Sequence, residues 1–418
     1  MTRTSDDIGQ GLAAARQARP IAARERIHVV GAAGAGASAA ALLAHHAGAT
    51  VTGCDPGGPS PYTAALQAAG IPVAWEHDAA HVAAGVDRLA VTKALTSVDP
   101  GHPELHAARA AGVPLEPWQQ VVADAAATSG QRLVAIAGTH GKSTTTGWLV
   151  DVLMRDGRDP SAFVGALLPA SVSGTAPATA RWGNGDLFVV EADEYAGNFD
   201  PYRPSVALLL NAEWDHPDVF ADDEAVLSAF EAWIRHSLPD ATLVANMEDP
   251  GVARIVQRLS DWPGEIVAAP PTVPLGWDVG LPGPANADNA RMVIGAARVL
   301  GVTDTALREG VADYVGVGRR MEVKGDVGGV VVIDDYGHHP TAIAKTLEAV
   351  RSRYPGRRVW AVYEPLTYHR TAAMLGEFAR VLAAADEVAI ADIWAGRDPD
   401  TTLTSASALA EYVRAVGG

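Results

Sequence analysis

The segment GTHGKS, residues 138–143, carries two glycines, a lysine and a hydroxyl at a spacing suited to binding phosphate. RLVAIAG before it is typical of a buried strand, and KSTTTGWLVDVLMR after it has the apolar spacing of a helix. Glycines let backbone N–H groups converge on anionic oxygens, and the helix N-terminus adds the positive end of its dipole. Lys142 would pair with the β- and γ-phosphates, and Ser143 would place its hydroxyl on Mg²⁺.

The strict phosphate-loop pattern G-x-x-x-x-G-K-[ST] is not met, because Ile136 stands where its first glycine belongs. The shorter G-x-x-G-K-S form remains, between a strand and a helix. A glycine-rich turn that only caps the helix is the structural alternative. We interpret the segment as a nucleotide-binding loop.

Acidic residues and a histidine follow two further apolar runs. DLFVVEAD ends around Glu191, and SVALLLN leads to Asp215 and His216. The carboxyl ends of parallel strands face the ligand crevice, and Mg²⁺ prefers carboxylate and phosphate oxygens. We therefore predict that Glu191 holds Mg²⁺ with Ser143, and that His216 is a less usual ligand on the adjacent edge. Helix capping by Glu191 and a simple turn at Asp215 and His216 are the alternatives.

A second glycine cluster lies near the N-terminus, in IHVVGAAGAGASAAALLAHHAGATVTGCD. Gly31, Gly34 and Gly36 form G-x-x-G-x-G, and Asp55 follows about 20 residues later. The dinucleotide fingerprint G-x-G-x-x-G is absent from this segment. The cluster therefore favours a diphosphate at a helix N-terminus over NAD, with a purely structural turn as the alternative.

Composition limits the possible partners. The 418 residues carry a net charge of −17 with 48% hydrophobic residues, so we expect a globular protein that has neither nucleic acid nor a membrane as its main partner. The single cysteine, Cys54, excludes a disulfide within the chain and is interpreted as a small apolar side chain. Without a signal peptide or a membrane-spanning segment, we expect a soluble, cytoplasmic protein.

Short β-branched runs alternate with helical stretches along the whole chain. This alternation predicts an α/β protein with parallel strands covered on both faces. Breaks at ADAAATSGQ and at AAPPTVPLGWDVGLPGPA predict the domain boundaries. We expect an N-terminal tail at residues 1–26, followed by three domains at residues 27–128, 129–283 and 284–418.

Four clusters together resemble one family: GAAGAGAS, GTHGKSTTT, NAEWDH and GVGRRMEVKGDVGGVVVIDDYGHHPTAI. The chain is similar to the Mur ligases, ATP-dependent amide-bond-forming enzymes of peptidoglycan precursor assembly, over about residues 26 to 410. The resemblance implies a Rossmann-like UDP-binding domain, a central P-loop ATPase and a Rossmann-like C-terminal ligase domain. It also implies ATP, two Mg²⁺ ions, a UDP-N-acetylmuramate-type carboxylate and a small amino acid such as L-alanine.

The resemblance also implies roles for individual residues. Lys142, His216 and Arg320 would be catalytic, and Ser143, Glu191 and His216 would be metal ligands. The UDP-substrate set comprises Gly31, Gly34, Gly36, Ser38 and Asp55. The ATP-binding set comprises Gly138, Thr139, His140, Gly141, Lys142, Ser143, Thr144, Asn286, Asn289, Arg320 and Asp335.

The C-terminal motifs suggest how the acceptor is handled. His338 or His339 would orient the intermediate or the amine, although a histidine pair before Pro340 also fits a helix N-terminus. Arg370 in VYEPLTYHRT, together with His338, would hold the acceptor amino acid.

The chain departs from the family pattern in three places. Ala33 and Ala37 replace residues of the first glycine loop, and Leu366 and Thr367 replace a histidine and an arginine of the acceptor motif. We therefore expect weak binding of L-alanine or preference for another small amine. The C-terminal domain is expected to be shortened and to lack its last strand.

The sequence is also compared with what four other functions would require of it. A dehydrogenase would leave Lys142 and Ser143 unused, and a folate-type polyglutamyl ligase would share only the ATPase core. A nucleotide-binding module with lost or altered acceptor activity would explain the phosphate loop but not RRME and DDYGHHP. A muropeptide-recycling Mur-type ligase would share these C-terminal motifs.

Overall fold

In the computed structural model, residues 8–396, 398 and 400–417 are described. The predicted α/β class with mostly parallel sheets is confirmed. Residues 1–7 of the predicted tail lie outside the described residues. Of the helices in the described ranges, none is long and apolar enough to cross a bilayer.

The N-terminal unit is a five-stranded parallel sheet in the order β3-β2-β1-β4-β5. The alanine-rich α1 packs closely on β1 and β2 of this sheet and against α6, and Gly36 leaves room there for the Trp118 ring. Its elements are β1 (Arg26–Val30), α1 (Ala35–His46), β2 (Thr50–Cys54), α2 (Thr63–Ala68), β3 (Val73–Ala74), α3 (Ala80–Ala83), β4 (Arg88–Val91), α4 (Lys93–Val98), α5 (Pro103–Ala111), β5 (Leu115–Pro117) and α6 (Trp118–Ser129).

The described part of the predicted tail packs against the molecule. Ile8 is buried near Tyr195, and Ile21 joins the core of the N-terminal unit. Arg16 pairs with Glu116 and Asp124 at 2.9 and 2.7 Å. Residues 8–25 are therefore part of the folded molecule, with Arg16 and Ile21 on the N-terminal unit and Ile8 near Tyr195 of the central unit.

The central unit is a seven-stranded sheet in the order β12-β11-β10-β6-β9-β7-β8, parallel except for the β7–β8 pair. Val134, Ile136 and Leu208 are among the fully buried strand side chains, which explains the continuous apolar runs in the sequence. Its elements are β6 (Arg132–Ala137), α7 (Lys142–Arg155), β7 (Ser161–Leu168), α8 (Ala170–Ser173), β8 (Ala178–Arg181), β9 (Leu187–Glu191), a 3₁₀ turn (Tyr195–Gly197), β10 (Val206–Leu209), α9 (Asp223–Arg235), β11 (Thr242–Ala245), α10 (Pro250–Arg258) and β12 (Glu265–Ala268).

Two helices that follow the predicted boundary at residue 283 pack on the central unit. They are α11 (Pro284–Val299) and α12 (Asp304–Asp313). Val293 and Leu307 share a core with Trp148 on α7, whose indole N–H donates to the Gly310 carbonyl at 2.8 Å. This packing favours a boundary after α12, near residue 318.

The C-terminal unit holds two two-stranded sheets, antiparallel β13–β14 and parallel β15–β16. The expectation of strands covered on both faces is wrong here, since Val330, Trp360 and Val362 are 63%, 59% and 77% exposed. Among the described residues, α16 follows β16 without a further strand. The elements are β13 (Glu322–Val327), β14 (Val330–Asp334), α13 (Pro340–Arg353), β15 (Trp360–Tyr363), α14 (Tyr368–Ala373), α15 (Leu375–Leu382), β16 (Glu387–Ile390) and α16 (Ala406–Ala415).

Candidate active site

The loop from Gly138 to Gly141 connects β6 to α7 and is held in place by the residue after β10. The His140 N–H donates to the side-chain oxygen of Asn211 at 2.7 Å, and Asn211 Nδ2 donates back to the His140 carbonyl at 3.0 Å. Gly138 and Gly141 have φ of +143° and +84°, where glycine is favoured. A Cβ on Gly141 would also collide with the side-chain oxygen of Asn289. Both glycines are therefore required by backbone conformation, and Gly141 also by close approach.

Lys142 begins α7, and its amine points back over the loop. Its Nζ donates to the Gly138 carbonyl at 2.7 Å and to Glu194 Oε2 at 2.8 Å, with Asp193 Oδ1 at 3.8 Å. Burial lowers the pKa of Lys142, but the carboxylates of Glu194 and Asp193 outweigh it and hold the pKa above its usual value. Lys142 therefore stays charged, as an amine that pairs with phosphate must.

Ser143 and Glu191 lie side by side, as predicted. The Ser143 hydroxyl donates to Glu191 Oε1 at 3.1 Å, and the Gly165 N–H donates to Glu191 Oε2 at 2.7 Å. Arg320 from the C-terminal unit donates to Ser143 Oγ at 3.1 Å. Burial raises the pKa of Glu191, and the charges of Arg320 and Lys142 oppose that rise. A hydroxyl beside a carboxylate fits the oxygen ligands that Mg²⁺ takes.

His216 lies beside a different carboxylate from the one beside Ser143. Its Nε2 is 3.6 Å from Glu194 Oε1, and ligand atoms of Asp193, Glu194 and His216 all lie within 4.8 Å of one another. The three predicted metal ligands are thus divided into two groups, Ser143 with Glu191 and His216 with Asp193 and Glu194. His216 also has a φ of +56°, a strained conformation of the kind that clusters at functional sites.

Arg370, predicted to hold the acceptor carboxylate, is buried and paired within the chain. Its Nε and Nη2 donate to the two oxygens of Asp215 at 2.8 and 3.2 Å, and Nη2 also donates to His216 Nδ1 at 3.1 Å. Burial raises the pKa of Asp215, but the neighbouring His216 ring and the charge of Arg370 hold that pKa well below its usual value. An acceptor carboxylate would compete with Asp215 for this guanidinium. The geometry therefore makes Arg370 a residue that positions His216.

His338 is half-buried and has one ring nitrogen engaged. Its Nδ1 lies 2.9 Å from the Tyr336 carbonyl, so that nitrogen carries the proton and donates. Burial, with the charge of Arg370 nearby, lowers the pKa of His338 well below its usual value. His338 is therefore neutral at pH 7, with the Nε2 lone pair left to accept a proton.

His339 uses both ring nitrogens to hold the structure together. Its Nδ1 accepts from the Thr341 N–H at 3.2 Å, which caps α13, and its Nε2 donates to the Trp214 carbonyl at 3.2 Å. Burial lowers its pKa to about 4. The predicted catalytic role of His339 is therefore at odds with the geometry, and the helix N-terminal alternative fits it.

Two adjoining cavities lie between the central and C-terminal units, with volumes of about 260 and 280 Å³. Arg320 lines both of them. Predicted ATP-binding residues that line the first are His140, Gly141, Thr144, Asn286, Asn289, Arg320 and Asp335. Predicted residues that line the second are Thr139, His140, Gly141, Lys142, Glu191, His216, Arg320, His338, His339 and Arg370.

Within the first cavity, Asn286 and Asp335 also bond to their own chain. Asn286 Nδ2 donates to the Pro282 carbonyl at 2.8 Å, and Asp335 accepts from the N–H groups of Met321 and Gly337 at 2.9 and 2.8 Å. Asp335 thus fixes the backbone beside Arg320.

The segment that carries Arg320 is anchored to the central unit where it begins. Val317 is buried in the central core, and the Gly318 N–H donates to the Leu167 carbonyl at 2.9 Å. Arg319 and Met321 then take φ of +57° and +52°. Arg320 is therefore held between two strained residues immediately after the anchor.

The first N–H groups of the N-terminal glycine loop are hydrogen-bonded within the chain. The N–H groups of Gly31 and Ala32 donate to the Cys54 carbonyl at 2.8 and 3.0 Å, and the Ala33 N–H donates to Asp55 Oδ2 at 3.1 Å. The Asp55 carboxylate, predicted to contact the UDP substrate, thus also holds this loop in shape.

Two further predicted residues lie in the first turn of α1, where they pack against neighbouring elements. A Cβ on Gly36 would collide with the Trp118 ring. The Ser38 hydroxyl donates to the Ala35 carbonyl at 3.0 Å and lies 3.2 Å from Thr179 Oγ1 on β8. Both residues serve packing, and of the predicted set Gly31 and Gly34 remain at the turn itself.

Residues outside the predicted set also build the site. Glu194 pairs with Lys142, and Glu213 accepts from His140 Nε2 at 2.9 Å and from Thr341 Oγ1 at 2.6 Å. Burial raises the pKa of Glu213, but the bonds from His140 and Thr341 lower it to about 2. The sequence signal for both residues is their position. Glu194 closely follows β9, which ends at Glu191, and Glu213 closely follows β10.

Family models match the chain in three successive segments. Residues 26–129 match the Mur ligase family catalytic domain, residues 136–270 the Mur ligase middle domain, and residues 319–417 the Mur ligase glutamate ligase domain.

Solved structures share the fold. UDP-N-acetylmuramate-alanine ligase from Thermotoga maritima has a TM-score of 0.75 at 24% identity, covering 94% of this chain and 89% of its own. A murein peptide ligase from Psychrobacter arcticus has a TM-score of 0.71 at 24% identity, covering 94% and 88%.

Sequence relatives extend along most of the chain. The UDP-N-acetylmuramate–L-alanine ligase of Nocardioides sp. is 39% identical over 91% of this chain and 84% of its own length. That of Frankia casuarinae is 35% identical over 90% and 84%. With this identity over most of both sequences, and with the three family segments in order, the chain belongs to the Mur ligase family.

Proposed function

We propose that the chain is an ATP-dependent ligase that joins an amino acid to the carboxylate of a UDP-N-acetylmuramate-type substrate. The observation that carries the proposal is the contact of Arg320 with Ser143, which brings a C-terminal guanidinium to the phosphate loop beside Lys142 and Glu191. The names of the sequence relatives support the pair of substrates. The names of these relatives do not favour the alternatives of muropeptide recycling or an inactive nucleotide-binding module.

The chemistry suits this arrangement. Transfer of the γ-phosphoryl group of ATP to a carboxylate oxygen gives ADP and an acyl phosphate, which is a far better electrophile than the carboxylate. Attack by the amine nitrogen on the carbonyl forms the C–N bond, expels phosphate with the C–O electron pair and releases one proton. The protein has little covalent work here, so its contribution is positioning and charge stabilisation.

The charged residues divide that work. Lys142 and Arg320 stabilise the negative charge on the phosphoryl oxygens. Ser143 and Glu191 fit one Mg²⁺ ion, while the Asp193, Glu194 and His216 cluster fits a second. When bound, such ions neutralise charge on the phosphates.

We assign proton acceptance from the amine to His338, because its neutral ring keeps Nε2 available. Arg370 holds Asp215 and His216 in place at the same end of the cavity. The adenosine part of ATP is assigned to the cavity lined by Asn286 and Asn289.

The uridine diphosphate of the substrate is assigned to the turn at Gly31 and Gly34, at the N-terminus of α1. Calorimetry with UDP-N-acetylmuramate and with NAD tests this assignment separately from turnover. We expect binding of the UDP-sugar alone, and tight NAD binding without UDP-sugar binding would reverse the assignment.

The deciding experiment measures ADP release and product mass with ATP, Mg²⁺, UDP-N-acetylmuramate and a panel of amines. The panel contains L-alanine, glycine, L-serine and the tripeptide used in muropeptide recycling. We expect ADP release to require both the sugar nucleotide and a small amino acid, and the product to gain the mass of that amino acid less water. ATP hydrolysis without an amide product, or product formation with the tripeptide alone, would contradict the proposal.

A further inference from the structure

A cluster of metal-ligating side chains lies inside the N-terminal unit, outside both cavities of the candidate active site. His28 lies on β1, Cys54 ends β2, His81 lies on α3 and Glu104 lies on α5. Ligand atoms of these four residues all lie within 4.8 Å of one another. Four separate elements of the fold thus bring a thiol, two imidazoles and a carboxylate to one point.

Glu104 is the centre of the cluster and is fully buried. Its Oε1 lies 3.1 Å from Cys54 Sγ, 2.5 Å from His81 Nδ1 and 3.6 Å from His28 Nε2. A single buried carboxylate oxygen is therefore shared by three polar side chains, and it also accepts from the Asp78 N–H at 3.4 Å. Such crowding around one oxygen is poorly satisfied by hydrogen bonds alone.

His28 supplies an independent sign of a ligand. Its side chain is 2% exposed, and its Nδ1 lies 2.7 Å from Thr52 Oγ1, which fixes the ring. Within the described residues, His28 Nε2 has no hydrogen-bond partner and faces Glu104 at 3.6 Å. A buried ring nitrogen without a partner is costly, whereas a metal ion at this point would use its lone pair.

We propose that His28, Cys54, His81 and Glu104 form a structural site for a divalent transition metal of the Zn²⁺ class. Sulfur, two imidazole nitrogens and one carboxylate oxygen are the donor types that Zn²⁺ takes in tetrahedral sites. The thiolate of Cys54 and the carboxylate of Glu104 together balance the charge of the ion. The occupied site is therefore neutral, which a buried position requires.

The distances fit such an ion after a small adjustment. Tetrahedral bonds to Zn²⁺ place neighbouring ligand atoms about 3.3–3.8 Å apart. The separations of Glu104 Oε1 from His28 Nε2 and from Cys54 Sγ, 3.6 and 3.1 Å, are close to this range. The contact of His81 with Glu104 must open from 2.5 Å. His81 lies on the four-residue helix α3, the shortest element around the cluster.

Two more histidines surround the site. His77 Nδ1 lies 3.2 Å from Cys54 Sγ and 3.6 Å from Glu104 Oε2, and His102 packs edge-on against the His77 ring. They support the Cys54 and Glu104 ligands from outside the tetrahedron. The backbone carbonyl of Cys54 accepts from Gly31 and Ala32, so the ion would also stiffen the glycine loop.

Cobalt spectroscopy on the tag-free full chain tests the proposal without any variant. Cys54 is the only cysteine of the chain, so an intense near-ultraviolet thiolate-to-Co²⁺ band can arise from this residue alone. We expect the band to saturate at one equivalent of Co²⁺ and to disappear on adding Zn²⁺. Co²⁺ binding without that band would overturn the proposal.

Competition with a chromophoric chelator measures Zn²⁺ affinity in variants. We expect Cys54→Ser and His81→Ala to weaken binding at least about tenfold. His106→Ala is the matched control, because His106 is exposed on α5, the helix that carries Glu104, and its affinity should equal that of wild type.

A fourth variant separates this site from the His140, Glu213 and His339 cluster of the active site, which could also hold an ion. Wild-type affinity in Cys54→Ser together with its loss in His140→Ala would place the ion there and overturn the proposal. Loss of the Co²⁺ band in Cys54→Ser with its retention in His140→Ala supports it.

Discussion

The molecule contains two strand–glycine turn–helix units, and they use their glycines differently. In the central unit, the turn at Gly138 and Gly141 is surrounded by side chains from two units, including the charged groups of Lys142 and Arg320. In the N-terminal unit, much of the turn that begins at Gly31 is satisfied by the Cys54 carbonyl and the Asp55 carboxylate.

The difference shows what a glycine pattern can and cannot indicate. Glycines permit a tight turn and close packing, as at Gly36 against Trp118. The charge beside the turn decides which ligand it binds. At Gly141 that charge comes from the next residue, Lys142, whereas the residues after Gly36 are alanines and Ser38.

The largest effect is expected for Lys142→Ala. It removes the cation at the phosphate loop and leaves the buried Glu194 carboxylate without its main partner. We expect kcat/KM for ATP to fall about 10³-fold, as for loss of a charge-stabilising group. Steady-state ADP release measures the loss, and circular dichroism verifies the fold.

Lys93→Ala is the matched control in the N-terminal unit. Lys93 is also partly buried, but its Nζ donates only to backbone carbonyls of Ala196 and Gly197 among the bonds seen. We expect lower thermal stability with kcat retained. Equal losses of kcat/KM for ATP in Lys142→Ala and Lys93→Ala would contradict the assignment of phosphate binding to the loop before Lys142.

Arg320→Ala should lower kcat about 10²-fold with a smaller change in KM for ATP, since a group that stabilises transferring charge acts mainly in the transition state. Arg319→Ala is the control, because the guanidinium of the neighbouring Arg319 lies 3.5 Å from Asp334, whereas that of Arg320 bonds to Ser143. Single-turnover phosphoryl transfer compares the two. A larger loss for Arg319→Ala would refute the assignment of Arg320.

Gly141→Ala and Gly36→Ala test the two loops directly. Gly141→Ala should raise KM for ATP about tenfold, because φ of +84° and the Asn289 contact disfavour a side chain. Gly36→Ala should lower stability by about 1–3 kcal/mol through overpacking on Trp118, with ATP kinetics unchanged. Urea unfolding measures the stability of both variants, and ADP release measures their KM for ATP. A raised KM in Gly36→Ala with an unchanged KM in Gly141→Ala would contradict the prediction.

The smallest effect is expected in the pH profile. The pKa of His338 is lowered, so the neutral ring is present at pH 7 and is lost only as pH falls well below the usual histidine range. We expect kcat to show an acid limb that His338→Asn removes. His339→Asn should keep that limb and lower the melting temperature, because it loses the bonds to Thr341 and Trp214. An acid limb that follows His339 would reverse these roles.

Much of the candidate active site could be predicted from local sequence patterns. The strand, glycine turn and Lys142-Ser143 pair are consecutive, and Glu191 follows from the end of a neighbouring strand. The partners of Arg370 could not be predicted, because Asp215 is 155 residues away and only the packing of the C-terminal unit on the central unit joins them. The pairing of Lys142 with Glu194, 52 residues apart in the chain, could not be predicted for the same reason.

The fold shows the same limit. Apolar runs such as RLVAIAG and SVALLLN predicted parallel strands of the central sheet, where burial on both faces makes the runs continuous. The run GVVVIDD has the same apolar character but forms an exposed antiparallel strand. Its pairing with β13 depends on a turn at Gly328 and Gly329. The packing of α11 and α12 on α7 likewise depends on tertiary contacts that no local pattern records.

The anchor before Arg320 has a mechanical consequence. If the C-terminal unit swings about the strained link at Arg319 and Met321, displacement grows with distance from that pivot. Arg320 adjoins this pivot, so its backbone moves least in such a rotation. The buried ion pair of Arg370 with Asp215 joins the same two units and would have to break before they separate, so the rotation exposes a guanidinium and a carboxylate that are otherwise paired.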